Sequence, residues 1–156
     1  MTPAILLLKK RKTPFTLLQY SHDASARSYG LEVVEKLLLP AVQVFKTLVI
    51  STDTSQLVVA IIPVTEQLNV KCVAKVLKVK KIMMADAKRV ESSTGYVLGG
   101  VSPLGQKKQL ITIIDSSAQN FNTIYVSGGK RGLELALSPK ELAKLTRGNF
   151  AEITRT

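Results

Sequence analysis

The chain has one cysteine, one histidine and no tryptophan among its 156 residues. The single cysteine, Cys72, excludes an internal disulfide and favours a reducing cytoplasmic location. One cysteine and one histidine are also too few for a zinc site of the Cys/His type. A Ser-His-Asp triad would have to use His22, and no serine lies in a nucleophile-elbow sequence. The sequence therefore predicts neither a metal nor a cofactor.

Long apolar runs are missing as well. No segment approaches the ~18 apolar residues that a membrane-spanning helix needs. The apolar stretch that follows Met1 has no basic residues before it, so a signal peptide is not expected. With 46% hydrophobic residues, a chain of this length buries a sizeable core. We expect residues 1–156 to form one domain that has no membrane partner.

Acidic residues are scarce relative to basic ones. The chain has 22 Lys and Arg against 11 Asp and Glu, which gives a net charge of +11. Such an excess favours an anionic partner, with nucleic acid as the first candidate and an anionic membrane surface as the second. Four Phe and four Tyr are few for a platform that stacks single-stranded bases. We therefore expect contacts mainly with phosphates.

Hydrophobic periodicity and capping residues predict a mixture of helices and strands. Helices are expected at 3–12, 31–38 and 86–92, after an N-cap at Asn69, and after the capping box that begins at Ser138. Strands are expected at 15–20, 45–51, 57–62, 80–85, 110–114, 123–127, 133–137 and 150–153. Because helices and strands do not alternate regularly, the pattern favours an α+β fold with a mixed sheet or partial barrel.

Two glycine-rich segments are candidate sites. The first glycine loop, residues 99–105, holds three glycines and Pro103, and Lys107 and Lys108 follow it. Such a loop brings backbone N–H groups close to an oxyanion or carbonyl, but it lacks the spacing of a nucleotide P-loop. The second glycine loop, residues 127–132, is equally consistent with a hairpin turn.

Lys46 interrupts an apolar strand. It lies between Phe45 and a run of residues that is otherwise apolar or β-branched. Strand alternation would place it in solvent on an outward face. The alternative is a lysine that projects into a cleft, where its charge holds a ligand oxygen.

Taken together, these segments resemble the YbaK/EbsC family. The similarity rests on Phe45-Lys46-Thr47-Leu48, on Ser93-Thr94-Gly95-Tyr96, and on the two glycine loops with their flanking residues. The resemblance implies an α/β fold with a mixed, barrel-like sheet and surrounding helices. Within that family the sequence resembles the Cys-tRNA(Pro) deacylases, which are relatives of the editing domain inserted in bacterial prolyl-tRNA synthetases.

The resemblance also implies the residues of the site. The family lysine falls on Lys46, and we expect N–H groups of Gly99 and Gly100 to face the substrate carbonyl. Glu134 stands where relatives often carry aspartate, so the charge is kept on a longer side chain. The residues expected to bind substrate are Tyr20, Thr47, Ser102, Pro103, Ser127, Gly128, Gly129, Lys130 and Glu134.

The implied activity is trans-editing of mischarged tRNA, in association with prolyl-tRNA synthetase. The substrate's own thiol would attack its carbonyl and expel the tRNA as a thiolactone forms. The protein would then supply orientation and oxyanion stabilisation. Two alternatives stay open: a deacylase for another mischarged tRNA such as Ala-tRNA(Pro), and a tRNA-binding or wall-associated accessory protein without catalysis.

Overall fold

The computed structural model describes residues 1–26 and 28–155. Over these residues the chain forms five α-helices and eight β-strands. The helices are α1 (Pro3–Lys10), α2 (Tyr29–Leu37), α3 (Val70–Leu77), α4 (Ala87–Thr94) and α5 (Pro139–Thr146). The strands are β1 (Thr16–Gln19), β2 (Phe45–Thr52), β3 (Leu57–Pro63), β4 (Ile82–Met84), β5 (Ile111–Asp115), β6 (Ile124–Ser127), β7 (Leu133–Leu137) and β8 (Asn149–Ala151).

Every helix and strand expected from the sequence is present, with small shifts at the ends. The helix starts are held as predicted: the side chains of Thr2, Asn69 and Ser138 each accept a hydrogen bond from the first turn of their helix. Proline occupies the first position of α1 and of α5, where its missing N–H costs nothing. Two short 3-10 turns, Ala41–Gln43 and Ser116–Asn120, were not predicted.

The strands form two sheets. The larger has the order β4-β2-β3-β5-β8, in which β3, β5 and β8 are parallel and the other pairs antiparallel. The smaller is antiparallel with the order β1-β7-β6. A bridge between Val44 and Tyr125 joins the sheets, and the pairings of the described residues do not close a barrel. The mixed α+β architecture is confirmed.

The core lies on both faces of β3. Val59 and Ile61 face a cluster that also contains residues of α1, α5 and the smaller sheet. Val58 and Ile62 face a second cluster beneath α3. Burial on both faces explains why β3 is apolar along its whole length. The larger sheet therefore separates α1 and α5 from α3. None of the helices in the described part of the chain is both long and apolar enough to cross a bilayer.

Candidate functional site

A cavity of about 560 Å³ opens beside β2. Its walls come from β2 itself, the start of α2, the first glycine loop and the end of β6. Most of its lining is apolar, and the polar side chains on it include Tyr29, Lys46, Thr47 and Ser127. Gly99 contributes a stretch of bare backbone. The structure thus brings Lys46 and both glycine loops to one cavity.

The cavity exists because one edge of β2 is only partly paired. On one side β3 pairs with β2 from Phe45 to Ser51. On the other side, within the described residues, β4 pairs only with residues 50–52, and the bridge to β6 is at Val44. Among the residues that the structure describes, no strand pairs with residues 46–48 on this side. The cavity lies in the gap between β4 and β6 along this edge of β2.

The backbone of Thr47 is directed into this gap. The N–H of Val64 donates to the carbonyl of Val44, and the N–H of Thr52 donates to that of Gln56. Because hydrogen-bonded residues alternate along an antiparallel pair, even-numbered residues of β2 bond to β3 and odd-numbered ones face the opposite edge. The Oγ1 atom of Thr47 is itself buried, and no described residue gives it a hydrogen-bond partner. Thr47 therefore offers unused polar groups beside the cavity.

The wall at Gly99 is supported by an arginine. Gly99 has a φ of +91°, a conformation that a side chain makes costly. The Nη2 atom of Arg131 lies 3.5 Å from where a Cβ on Gly99 would be. The Nη1 atom of Arg131 lies 3.7 Å from Oε1 of Glu32, a carboxylate that also accepts hydrogen bonds from the Asp23 N–H and His22. The second glycine loop thus packs an anchored guanidinium behind the first.

Gly100 does not have the role that the sequence predicted for it. Its N–H donates to the carbonyl of Val97 at 2.9 Å, so it is already used in a turn and does not face the cavity as a free donor. The expectation that both glycines present N–H groups to a carbonyl is wrong for Gly100. A Cβ at this position would lie 3.0 Å from the Cα of Lys130. Gly100 is needed because the two glycine loops touch backbone to backbone there.

Glu134 lies beneath the cavity and not on its surface. It is fully buried, and it pairs across the smaller sheet with Ser127, so the two side chains point to the same face. The hydroxyl of Tyr29 lies 2.5 and 2.6 Å from its two carboxylate oxygens. Burial raises the pKa of Glu134 to about 8, and the bond from Tyr29 offsets this only in part. Burial thus disfavours the negative charge that the sequence led us to expect at this position.

The other residues expected to bind substrate lie outside the cavity surface. The hydroxyl of Tyr20 is buried near Glu134 and Arg131, and burial is the main cause of its raised pKa. Ser102 is fully buried, and its hydroxyl accepts from the N–H of Leu104. The remaining residues off the cavity lining are Pro103, Gly128, Gly129 and Lys130. These positions support the loops that form the wall.

Two residues of the site were not predicted. Tyr29 begins α2 and joins the cavity to Glu134. Arg131 lies in the second glycine loop, which the sequence left open between a site and a hairpin turn, and it was not among the residues expected to bind substrate. A charged residue inside the apolar strand Leu133–Leu137 was the one signal in the sequence for this buried network. Its partners come from distant segments, which local patterns do not reveal.

The raised pKa of Glu134 predicts how stability depends on pH. Between the ordinary value of 4.5 and about 8, only the folded state holds the proton, so the free energy of unfolding falls as pH rises. Glu134→Gln should remove this part of the dependence, because a neutral amide does not titrate. Denaturant unfolding from pH 5 to pH 8 measures it. Glu35→Gln, on the exposed side of α2, should keep the wild-type dependence. Identical pH profiles for wild type and Glu134→Gln would contradict the assignment.

Comparison with known proteins gives this arrangement a family. The profile of the aminoacyl-tRNA editing domain matches residues 23–145. A protein of Enterococcus faecalis that carries the name of a Cys-tRNA(Pro)/Cys-tRNA(Cys) deacylase, EbsC, is 38% identical over 153 residues, which are 98% of this chain and 93% of that protein.

Solved structures agree on the fold. A protein described as a trans-editing enzyme for prolyl tRNA synthetase superposes with a TM-score of 0.84 at 20% identity, over 99% of this chain and 96% of its own. The hypothetical protein APE2540 superposes with a TM-score of 0.86 at 23% identity, over 99% and 100%. The profile covers most of the chain and the relative covers nearly all of it, so the chain belongs to the aminoacyl-tRNA editing domain family.

Proposed function

We propose that this protein is a trans-acting deacylase that removes cysteine wrongly esterified to tRNA(Pro). The observation that carries the proposal is the cavity at the open edge of β2, where Lys46, Thr47 and Gly99 meet. The E. faecalis relative, whose name gives this substrate, supports it. The cavity, at about 560 Å³, lies within the range of small-molecule sites and has room for a terminal adenosine with its aminoacyl group.

An aminoacyl ester is already activated, so positioning supplies much of the catalysis. In the proposed reaction the substrate's sulfur attacks its own ester carbonyl carbon. A carbon–sulfur bond forms, the bond to the ribose oxygen breaks, and that oxygen takes the proton that the thiol has lost. The products are free tRNA and a four-membered thiolactone, which water then opens to cysteine. No nucleophile from the protein takes part in this reaction.

Lys46 would act through its charge. Lys46 lines the cavity, and its ammonium charge would favour a thiolate over a thiol and stabilise negative charge that develops on the carbonyl oxygen. Within the pair Gly99 and Gly100, only the Gly99 N–H stays a candidate donor to that oxygen, since the other is bonded to Val97. Tyr29 on the cavity wall would contact the substrate's α-ammonium group, and that positive charge would favour the ionised form of Glu134 beneath it.

The protein would discriminate against other amino acids through the reactivity of the esterified side chain more than through its size. A cavity large enough for cysteinyl-adenosine also admits the serine and alanine esters. Serine has a hydroxyl that ionises far less readily than a thiol, and alanine has no nucleophile. The small domain would obtain its tRNA(Pro) through association with prolyl-tRNA synthetase, as the description of the solved trans-editing neighbour suggests for that protein.

Deacylation of a panel of charged tRNAs tests the proposal. Purified protein should release cysteine from Cys-tRNA(Pro) at least 100-fold faster than serine or alanine from the same tRNA. Lys46→Ala should lose most of this activity and stay folded, whereas Lys71→Ala on the exposed side of α3 should keep it. Cleavage of Ala-tRNA(Pro) with Cys-tRNA(Pro) spared would establish the alanine alternative. The absence of any cleavage would favour a non-catalytic accessory protein.

Thr47 separates a binding role from a structural one. Thr47→Val replaces a buried hydroxyl that lacks a partner in the described structure, so the free energy of unfolding should stay level or rise by about 1 kcal/mol. Deacylation should nevertheless slow at least tenfold, because the substrate loses a hydrogen bond. Thr47→Ser keeps the hydroxyl and should restore most of the rate. A Thr47→Val protein that is less stable but fully active would identify the hydroxyl as structural.

A further inference from the structure

A second concavity lies on the far part of the first glycine loop. This groove of about 190 Å³ is lined by the C-terminal ends of α1 and α5 and by the chain from Pro103 to Leu110. Leu7, Leu110 and Leu145 form its apolar floor and pack against the core. Arg11 and Lys108 stand on its rim. We call it the basic groove.

Positive charge is concentrated around the basic groove. Three segments flank the groove: the C-terminal end of α1, the chain from Pro103 to Leu110, and the C-terminal end of α5. The basic residues in and next to these segments are all exposed: Lys9, Lys10, Arg11, Lys12, Lys107, Lys108, Lys144 and Arg147. Within residues 1–26 and 28–155, the ion pairs all involve Glu32 with His22, Lys36 or Arg131, so none of these basic residues around the groove is in an ion pair. Residues 1–13 and 95–110 contain no acidic residue at all. The groove thus presents uncompensated charge on two sides of a trough.

The groove and the cavity share structural elements. The first glycine loop lines the cavity at Gly99 and the groove from Pro103 onward. Helix α1 begins where Thr2 donates to the carbonyl of Gly128 in the second glycine loop, and it ends at the groove. The eight residues of α1 span about 12 Å. A nucleic-acid strand that runs alongside α1 would cover this length with roughly three or four nucleotides, at a rise of 3.4 Å each.

The polar groups of the groove are suited to phosphates and not to bases. The amide Nε2 of Gln106 donates to the carbonyl of Ser102 at 3.0 Å, and that of Gln109 donates to the carbonyl of Thr146 at 2.9 Å. One N–H of each side-chain amide is therefore engaged within the protein. Among the described residues, no aromatic side chain lines the groove as a surface on which a base would stack. The charged side chains of the lining are those of Arg11 and Lys108, which suit phosphates.

We propose that the basic groove binds the phosphodiester backbone of the tRNA acceptor arm, next to the 3′ end that enters the cavity. The inference rests on the proposed function, which makes a charged tRNA the substrate. Binding through phosphates carries little sequence information. It fits a small domain whose choice of tRNA is made by a partner.

A charge-reversal variant tests the groove. Arg11→Glu with Lys108→Glu should weaken binding of uncharged tRNA(Pro) at least tenfold at 150 mM salt. The slope of log K against log salt should become shallower by about 2, one unit for each lost phosphate contact. Fluorescence anisotropy between 50 and 200 mM salt measures both quantities. The neutral pair Arg11→Gln with Lys108→Gln gives the same readout, with a smaller loss, if reversal prevents folding.

The matched control changes net charge equally at another place. Lys71→Glu with Lys75→Glu reverses two exposed lysines on α3, across the larger sheet from α1 and α5. Helix and sheet layers lie about 10 Å apart, so these lysines are farther from the groove than the Debye length of ~8 Å. The control should bind tRNA within twofold of wild type. An equal loss in both variants would overturn the groove as the site.

Single-turnover cleavage separates this inference from the proposed function. With protein in saturating excess, the groove variant should cleave bound Cys-tRNA(Pro) within threefold of the wild-type rate, since its cavity is intact. A wild-type protein that binds tRNA through the groove but cleaves nothing would refute the proposed function and leave the groove standing. Unchanged tRNA binding in the groove variant would overturn the inference. So would a loss confined to binding of phosphatidylserine vesicles.

Discussion

The site depends on the incomplete pairing of one strand. β2 is bonded to β3 along its length, but on its other edge β4 and β6 reach only its two ends. The gap between them leaves the backbone of Thr47 directed at a cavity instead of at a neighbouring strand. Exposed edges are normally covered or blunted because they invite association. Here the edge is walled by α2 and the first glycine loop, so it becomes an internal binding surface.

The remaining parts of the structure hold this cavity in shape. Arg131 lies behind Gly99 and is anchored by Glu32, while Gly100 lets the two glycine loops touch. Beneath the cavity, the hydroxyl of Tyr29 is hydrogen-bonded to the buried carboxyl group of Glu134, whose pKa is raised by burial. These are features of a site that acts by orientation and electrostatics. They suit an ester that carries its own nucleophile.

The sequence predicted the elements of the fold well and the site only in part. Caps at Thr2 and Ser138 and the apolar run of β3 are local signals, and they were sufficient for the helices and strands. Resemblance to a family directed attention to Lys46 and the glycine loops. It did not reveal that the N–H of Gly100 is hydrogen-bonded within a turn or that the hydroxyl of Tyr29 is hydrogen-bonded to Glu134. Those facts depend on contacts between distant segments, which have no local pattern in the sequence.

The most direct test of this account is to determine whether a substrate analogue binds next to the backbone amide groups of β2. An analogue of cysteinyl-adenosine, with an amide in place of the ester, is titrated into ¹⁵N-labelled protein and followed by NMR. The account predicts that the largest shift changes fall on residues 46–49, Gly99 and Ser127, with small changes on α3. Saturable binding that leaves the amides of β2 unchanged and perturbs another face would contradict the central claim.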